Sequence, residues 1–261
     1  MNTSTIDQGQ RVVSNAEWLE ARKALLAKEK VLTRQHDELS RERRELPWVK
    51  VEKNYSFDGP NGRETLADLF AGRSQLMIYH FMFGPEWAEG CPSCSMLADH
   101  IDGSLVHLEH RDVTLLAVSR APWSKIEPFK RRMGWRFKWV SSNANDFNYD
   151  YNVTFAKEDV EKGTTYYNYG HNKFPSEEGP GISVFYKDDS GNIFHTYSAY
   201  ARGAEPLLGV YGYMDLTPMG RNEDSLSFPM AWVRHHDRYD DRPQAKSAAT
   251  GCGCDSEETR S

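Results

Sequence analysis

The chain is poor in cysteine: four in 261 residues, and two of these, Cys252 and Cys254, stand close to its end. No second C-x-x-C or H-x-x-x-H pair lies at a structural-zinc spacing from Cys91 and Cys94, which speaks against half a zinc site, and no metal or other cofactor is expected. A run of membrane-spanning length is also missing. The longest apolar stretch, Leu76 to Gly84, suits a buried strand. Met1 to Gln10 is polar and lacks the basic start and apolar stretch of a signal peptide, so a cytoplasmic location is the expectation. With a net charge of −6 and no large basic patch, nucleic acid is not expected as a partner, nor is a membrane. The run Arg41 to Glu45 is mixed in sign and reads as a solvated helix face. There is no internal repeat.

What the chain does have is a 39% hydrophobic and 12% aromatic composition, enough for a sizeable core despite 27% charge. It also has Gly90-Cys91-Pro92-Ser93-Cys94, set between an apolar run, Gln75 to Phe83, and a helix-like run, Ser95 to His110. A strand, a turn with two cysteines two residues apart, then a helix is what a thiol–disulfide site requires. The first sulfur sits at a helix N-terminus, where unpaired N–H groups favour a thiolate. Pro92 suits the first helical position, where its missing N–H is not needed. Cys91 is therefore the expected attacking thiol and Cys94 the resolving one. In a reducing compartment such a pair reads as catalytic rather than as a staple.

In chain order, Ser14 and Glu17 have the spacing of a capping box, and a helix to about Leu46 follows, ended by Pro47. Trp18, Leu25, Leu32, Leu39 and Leu46 recur seven apart, but Ala21, Lys28, Gln35 and Glu42 leave a coiled-coil seam incomplete. The helix is expected to lay a narrow stripe on the main domain or on a second copy, giving a possible homodimer. Trp48 to Val51 reads as a strand, Phe57 to Gly62 as a turn, and Glu64 to Phe70 as a short helix. Leu97, Ile101, Leu105 and Leu108 form one helical face. Val113 to Ser119 is a strand. Ser124 to Met133 is a helix with Pro128 in its first turn, closed by Gly134 before a strand at Phe137 to Val140. Asp146 to Phe155 and Pro175 to Gly181 read as loops. Ile182 to Lys187 and Asn192 to Tyr197 flank Asp188-Asp189-Ser190-Gly191 as a hairpin, and 203–216 is a candidate for a further helix. The β-α-β-α-β order implies a parallel sheet with right-handed crossovers. The expected class is α/β: a thioredoxin-like fold, a mixed sheet flanked by helices. It is divided into an N-terminal helical extension (1–46), a thioredoxin-like domain (47–216), a C-terminal extension (217–240) and a disordered tail (241–261).

The strings Glu89 to Ser95, Val118 to Pro122, Arg132 to Trp135, Trp139 to Ser142, Asp146 to Asp150, His195 to Gly203 and Leu216 to Arg221 resemble a bacterial family, domain of unknown function 899, grouped with thioredoxin-like proteins. The resemblance runs from the N-terminal helix to about Tyr239. It implies a thioredoxin-like fold and supplies no substrate. Pro92 stands first between the cysteines, as in glutaredoxin-like sites, where thioredoxin has proline second. Peroxiredoxins share the approach to the cysteine but place a Thr or Ser three residues before it, where this chain has Ala88, so their motif is not met. Thioredoxin-like proteins also set a cis-proline opposite the cysteines, and Pro180 is the candidate, an ordinary trans proline being the commoner case.

The expected activity is thiol–disulfide exchange on a disulfide-containing protein or small thiol substrate. The alternatives are a non-catalytic binding module with an aromatic pocket and a peroxiredoxin-like peroxidase. Trp87, Pro92, Arg120, Pro180, His195 and Tyr197 are the candidate substrate-binding residues. Arg120 follows the second strand and could hold an anionic group, a surface ion pair being the plainer reading. His195 and Tyr197 alternate onto one strand face and are expected to line a pocket with Asn148 and Tyr149, or else to form aromatic core. Glu89, if close, raises the Cys91 pKa by repulsion. His80 reads as a satisfied core histidine, His235-His236-Asp237 as a surface segment, and Cys252-Gly253-Cys254 as incidental or as a tail dithiol passing electrons to the Cys91 pair.

Overall fold

The computed structural model of the chain describes residues 10–239. Cys252, Cys254 and the expected tail lie outside the described residues. Helix α1 (Asn15–Glu45) begins where the capping box places it: Ser14 Oγ accepts from Glu17 N at 3.3 Å, and Glu17 Oε2 accepts from Ser14 N at 3.0 Å. It ends at Leu46, which turns extended ahead of Pro47. None of its residues is buried.

Eight strands form one sheet: β1 (Val49–Lys50), β2 (Ser56–Gly59), β3 (Gly62–Thr65), β4 (Gln75–His80), β5 (Val113–Ser119), β6 (Lys138–Ser141), β9 (Gly181–Lys187) and β10 (Ile193–Tyr200). Their order across the sheet is β1-β10-β9-β4-β5-β6-β2-β3. Strands β4, β5 and β6 run parallel. Strand β9 lies antiparallel to β4 and β10 antiparallel to β9. A parallel set extended by an antiparallel terminal hairpin is the thioredoxin-like arrangement, and the fold is of that class.

Alternation along β4 builds two cores. Tyr79, with Phe81 and Phe83 beyond the strand, faces α2 (Pro92–Ala98) and α4 (Trp123–Arg132), while Leu76 and Ile78 face Phe57, Phe70 and Phe147. Trp139, on β6, is fully buried in the first core, with its ring centroid 4.5 Å from that of Phe81.

Several expectations are corrected. Of the expected Phe57 to Gly62 turn only Pro60 and Asn61 form the tip of the hairpin β2–β3, the rest being strand, and Glu64 lies in β3, not in a helix. Only Asp68–Phe70 makes a single helical turn, of the 3-10 kind. The run Ser95 to His110 is two helices, α2 and α3 (Leu105–Glu109). Asp102-Gly103-Ser104 are poor helix formers, and the Asp102 carboxylate instead accepts from the N–H groups of Arg136 and Phe137. Pro128 lies in the second turn of α4 rather than the first. The Asp146 to Phe155 stretch contains a short helix, α5 (Phe147–Asp150).

A helix α6 (Lys157–Lys162) and a separate hairpin, β7 (Thr165–Tyr167) with β8 (Gly170–Asn172), were not foreseen. Asn168 and Tyr169 both take positive φ, 53° and 62°, at the tip of that hairpin. Such a turn usually carries glycine, so its sequence signal is weak. Residues 203–216 do carry a helix, α7 (Gly209–Met214). The segment after it returns to the body, where Val233 is buried with Tyr211 of α7 against Met96 of α2. Among the described residues no helix is long and apolar enough to cross a membrane.

Candidate functional site: the Cys91–Cys94 turn and its clamp

Cys91 is the residue that caps the start of α2, and Pro92 is the first helical residue. Both cysteines are free thiols; Cys91 is partly exposed and Cys94 is buried. The chain reaches this turn through Gly90, which is tightly packed. A Cβ there would stand 2.6 Å from Phe81 Cε1 and 2.9 Å from Phe129 Cε1, closer than carbon atoms approach. Trp87 packs on the first core, and Lys125 Nζ donates to the carbonyls of Pro85 at 2.6 Å and Trp87 at 3.3 Å, holding the approach loop.

The two thiols have opposite acidities. The Cys91 pKa is lowered to about 7, first by a hydrogen bond from the Cys94 thiol and then, against the cost of burial, by the N–H groups of Cys94 and Ser93. Burial pushes the Cys94 thiol well up, and its neighbour Cys91 adds to the rise. Tyr79 lies against the pair, its hydroxyl donating to Cys94 O at 3.4 Å, and burial raises its own pKa.

Glu89 does not act as expected. Burial raises its pKa, but hydrogen bonds from Arg238 and Arg132 outweigh that and hold the carboxyl below the usual range. Arg132 Nη1 lies 2.6 Å from Glu89 Oε1, and Arg238 Nη1 lies 2.8 Å from Glu89 Oε2. The acidic charge two residues before Cys91 is therefore matched by two guanidinium groups.

The His235 to Asp237 segment is also corrected: it is not a surface stretch at His235, whose imidazole is 4% exposed. His235 Nε2 donates to Gly90 O at 2.8 Å, and its ring meets Phe129 edge-on at 5.3 Å. His236 bonds Asp99 at 2.7 Å. His235, Arg132 and Arg238 are the site residues that sequence reasoning missed. Nothing in spacing relates Gly90 to a residue 145 positions away.

The candidate substrate residues scatter. Arg120 is not free for an anion. Its guanidinium donates to Tyr149 Oη at 2.7 Å, lies 4.7 Å from that ring's centroid, and is 3.8 Å from the buried carboxylate of Glu178. Burial raises the Glu178 pKa to about 7, partly offset by Thr154 and Arg120. Pro180 is trans, no cis peptide bond occurring among the described residues, and its carbonyl accepts from Tyr167 Oη at 2.7 Å.

His195 and Tyr197 do not share a strand face. A bulge between them sets His195 opposite Phe185 and Tyr197 opposite Val184, neighbours that face opposite sides of the sheet. Both still border a recess of about 440 Å³, with Leu46, Tyr169 and Tyr200, and neither cysteine lines it. Asn148 and Tyr149 lie elsewhere: Asn148 Oδ1 accepts from Ser142 Oγ, and Tyr149 is held by Arg120. His195 Nε2 meets Ser198 Oγ at 2.7 Å, which continues through Ser183 Oγ to His80 Nε2. Burial lowers the His80 pKa to about 3, so that imidazole is neutral, and its Nδ1 has no partner. It is a core histidine satisfied on one side only. Among the described residues no three His, Cys, Asp or Glu side chains converge as metal ligands.

The model of a family described as bacterial protein of unknown function (DUF899) matches residues 7–239. No curated protein matches the chain. Among solved structures, peroxidoxin BcpB from Mycobacterium tuberculosis is similar at 12% identity, covering 63% of this chain and 94% of its own, with a TM-score of 0.42. A cysteine-to-serine mutant of PrxQ from Xylella fastidiosa is similar at 16% identity, covering 64% and 94%, with a TM-score of 0.41. The mitochondrial 2-Cys peroxiredoxin from Plasmodium falciparum is similar at 15% identity, covering 64% and 92%, with a TM-score of 0.38. The chemistry rests on the site itself.

Proposed function

The chain belongs to the bacterial DUF899 family, and on that premise we propose that its Cys91 and Cys94 form a thiol–disulfide exchange site. The observation that carries the reading is the pair of adjacent thiols with opposed acidities, Cys91 lowered to about 7 and Cys94 raised. Pulling two titratable groups apart in this way assigns them distinct roles. Cys91 is the thiolate that attacks, being partly exposed. Cys94 is held protonated in the core until it is needed.

The electrons balance in two steps. Cys91 Sγ attacks one sulfur of a substrate disulfide, forming a mixed disulfide and releasing the other sulfur as a thiolate. Cys94 gives up its proton to that departing thiolate, and its own thiolate attacks Cys91 Sγ. This forms the Cys91–Cys94 disulfide and releases the second substrate sulfur as a thiolate, which takes a proton from water. The substrate is reduced by two electrons and the protein oxidised by two; a thiol reductant restores the dithiol. The substrate class is a disulfide-bearing protein or a small disulfide.

The test is alkylation of Cys91 across pH in reduced and oxidised protein. A lowered pKa means the thiolate persists as pH falls, so the rate should be half-maximal near pH 7. An ordinary thiol is only about a few per cent ionised there. Oxidised protein should alkylate only after reduction, and Cys94→Ser should trap a mixed disulfide on Cys91. Free alkylation under every condition, with no trapped species, would sink the reading.

A further inference from the structure

The peptide unit between Gly90 and Cys91 is held at both ends. Its N–H, from Cys91, donates to Met82 O at 3.0 Å. Its carbonyl, from Gly90, accepts from His235 Nε2 at 2.8 Å. With the proton on Nε2, His235 Nδ1 presents a lone pair, and that lone pair accepts from Arg132 Nη2 at 2.9 Å. Arg132 continues to Glu89 at 2.6 Å and to Asp237 at 3.1 Å. Arg238 takes both oxygens of Glu89. Residues 235–238 thus clasp the two residues immediately before Cys91, and they do so with a buried imidazole whose two nitrogens are both committed.

Burying an imidazole costs free energy unless its hydrogen bonds are satisfied. Here they are satisfied by the cysteine loop on one side and by Arg132 on the other. An apolar side chain packed on Phe129 in its place would fill the same space but would leave the Gly90 carbonyl without its donor.

We propose that His235, backed by Arg132 and Arg238, is a positioning residue for Cys91, and that the C-terminal segment thereby controls how reactive the attacking thiol is. The proposal rests on the dithiol reading above. The clasp keeps Cys91 Sγ over the N–H groups of Ser93 and Cys94, and it keeps Glu89 neutralised. Release lets the loop relax away from those donors and leaves an uncompensated carboxylate two residues from the sulfur, and both effects disfavour the thiolate. The titratable groups that face the thiol pair from the core side are Tyr79 and Tyr167, and the charged and titratable groups of the clasp beside the turn are Glu89, Arg132, His235, Asp237 and Arg238.

The experiment measures the apparent Cys91 pKa by thiolate absorbance, and its alkylation rate at pH 7, in reduced full-length protein. His235→Ala should raise the pKa by about half a unit to one unit and slow alkylation about threefold to tenfold. His235→Gln, whose amide can still donate to Gly90 O, should recover most of the rate. A His235→Ala protein that is folded and alkylates at the wild-type rate overturns the proposal, as does a glutamine variant as slow as the alanine one. Should His235→Ala not fold, Arg238→Gln takes its place, because that side chain is half exposed. A raised Cys91 pKa in this variant supports the clasp, and an unchanged one overturns it. If wild-type protein forms no reducible Cys91–Cys94 disulfide, the dithiol reading is what has failed. If it forms one and the variants leave pKa and rate unchanged, only the positioning role has failed.

Discussion

Helices α1 and α2 owe their existence to different forces. Helix α1 spans 31 residues, opens with a complete capping box, carries four intrahelical ion pairs and buries nothing. Helix α2 spans seven residues, has no side-chain cap, and buries every residue from Cys94 to Ala98. Local chemistry writes the first and tertiary packing imposes the second. An isolated helix of seven residues is far too short to persist in water. It exists because Leu97 and Ala98 belong to the core under β4 and Met96 packs on Tyr211 and Val233. The site is on the helix that the rest of the molecule must hold in place. Leu32 and Leu97 condense the contrast, at 67% and 5% exposed.

Matched substitutions test that contrast. The largest effect is expected at Leu97→Ala, which leaves a cavity in the core below the cysteines and should cost about 2–5 kcal/mol by denaturant unfolding. Ser14→Ala removes the cap of α1 and should cost about 1 kcal/mol, read as lost helix by circular dichroism with Cys91 reactivity unchanged. Leu32→Ala should change the stability of a single chain by no more than about 0.5 kcal/mol, as surface substitutions do. Pairing of two copies through the exposed stripe of Trp18, Leu25, Leu32 and Leu39 is the proposal that α1 raises. Light scattering checks it: a dimer mass that falls to a monomer mass in Leu32→Glu supports pairing, and a monomer mass for the wild type dismisses it.

The legible parts of the fold are those where a local signal and the tertiary outcome agree. Ser14 and Glu17 announce α1, Pro47 stops it, and the β-branched run Val113 to Ser119 is β5 residue for residue. Asp188 to Gly191 marks the hairpin of β9 and β10. Readings fail where strand pairing or a distant partner overrides the local signal. Glu64 favours a helix locally, but it pairs with Phe57 across a hairpin and its carboxylate holds Lys138 at 2.5 Å. The alternation of His195 and Tyr197 is cancelled by one bulged residue. Cys91 and Cys94 could be found because their chemistry depends on a two-residue spacing. His235, Arg132 and Arg238 could not, because a hydrogen bond to Gly90 carries no mark in the sequence on either side.

By itself, then, the amino-acid sequence determined that two thiols stand at the start of a helix after a buried strand, in a mixed α/β sheet. Spacing, proline at the first helical position and apolar runs are properties of neighbouring residues, and neighbours are what a sequence records. The burial that pushes the acidities of those two thiols apart was decided by tertiary structure. Burial raises the Cys94 pKa, and that of Cys91 is lowered by the Cys94 thiol and the N–H groups of Cys94 and Ser93, against the cost of its own burial. Electrostatic and hydrogen-bond energies depend on distance in space, and folding sets that distance without regard to separation along the chain.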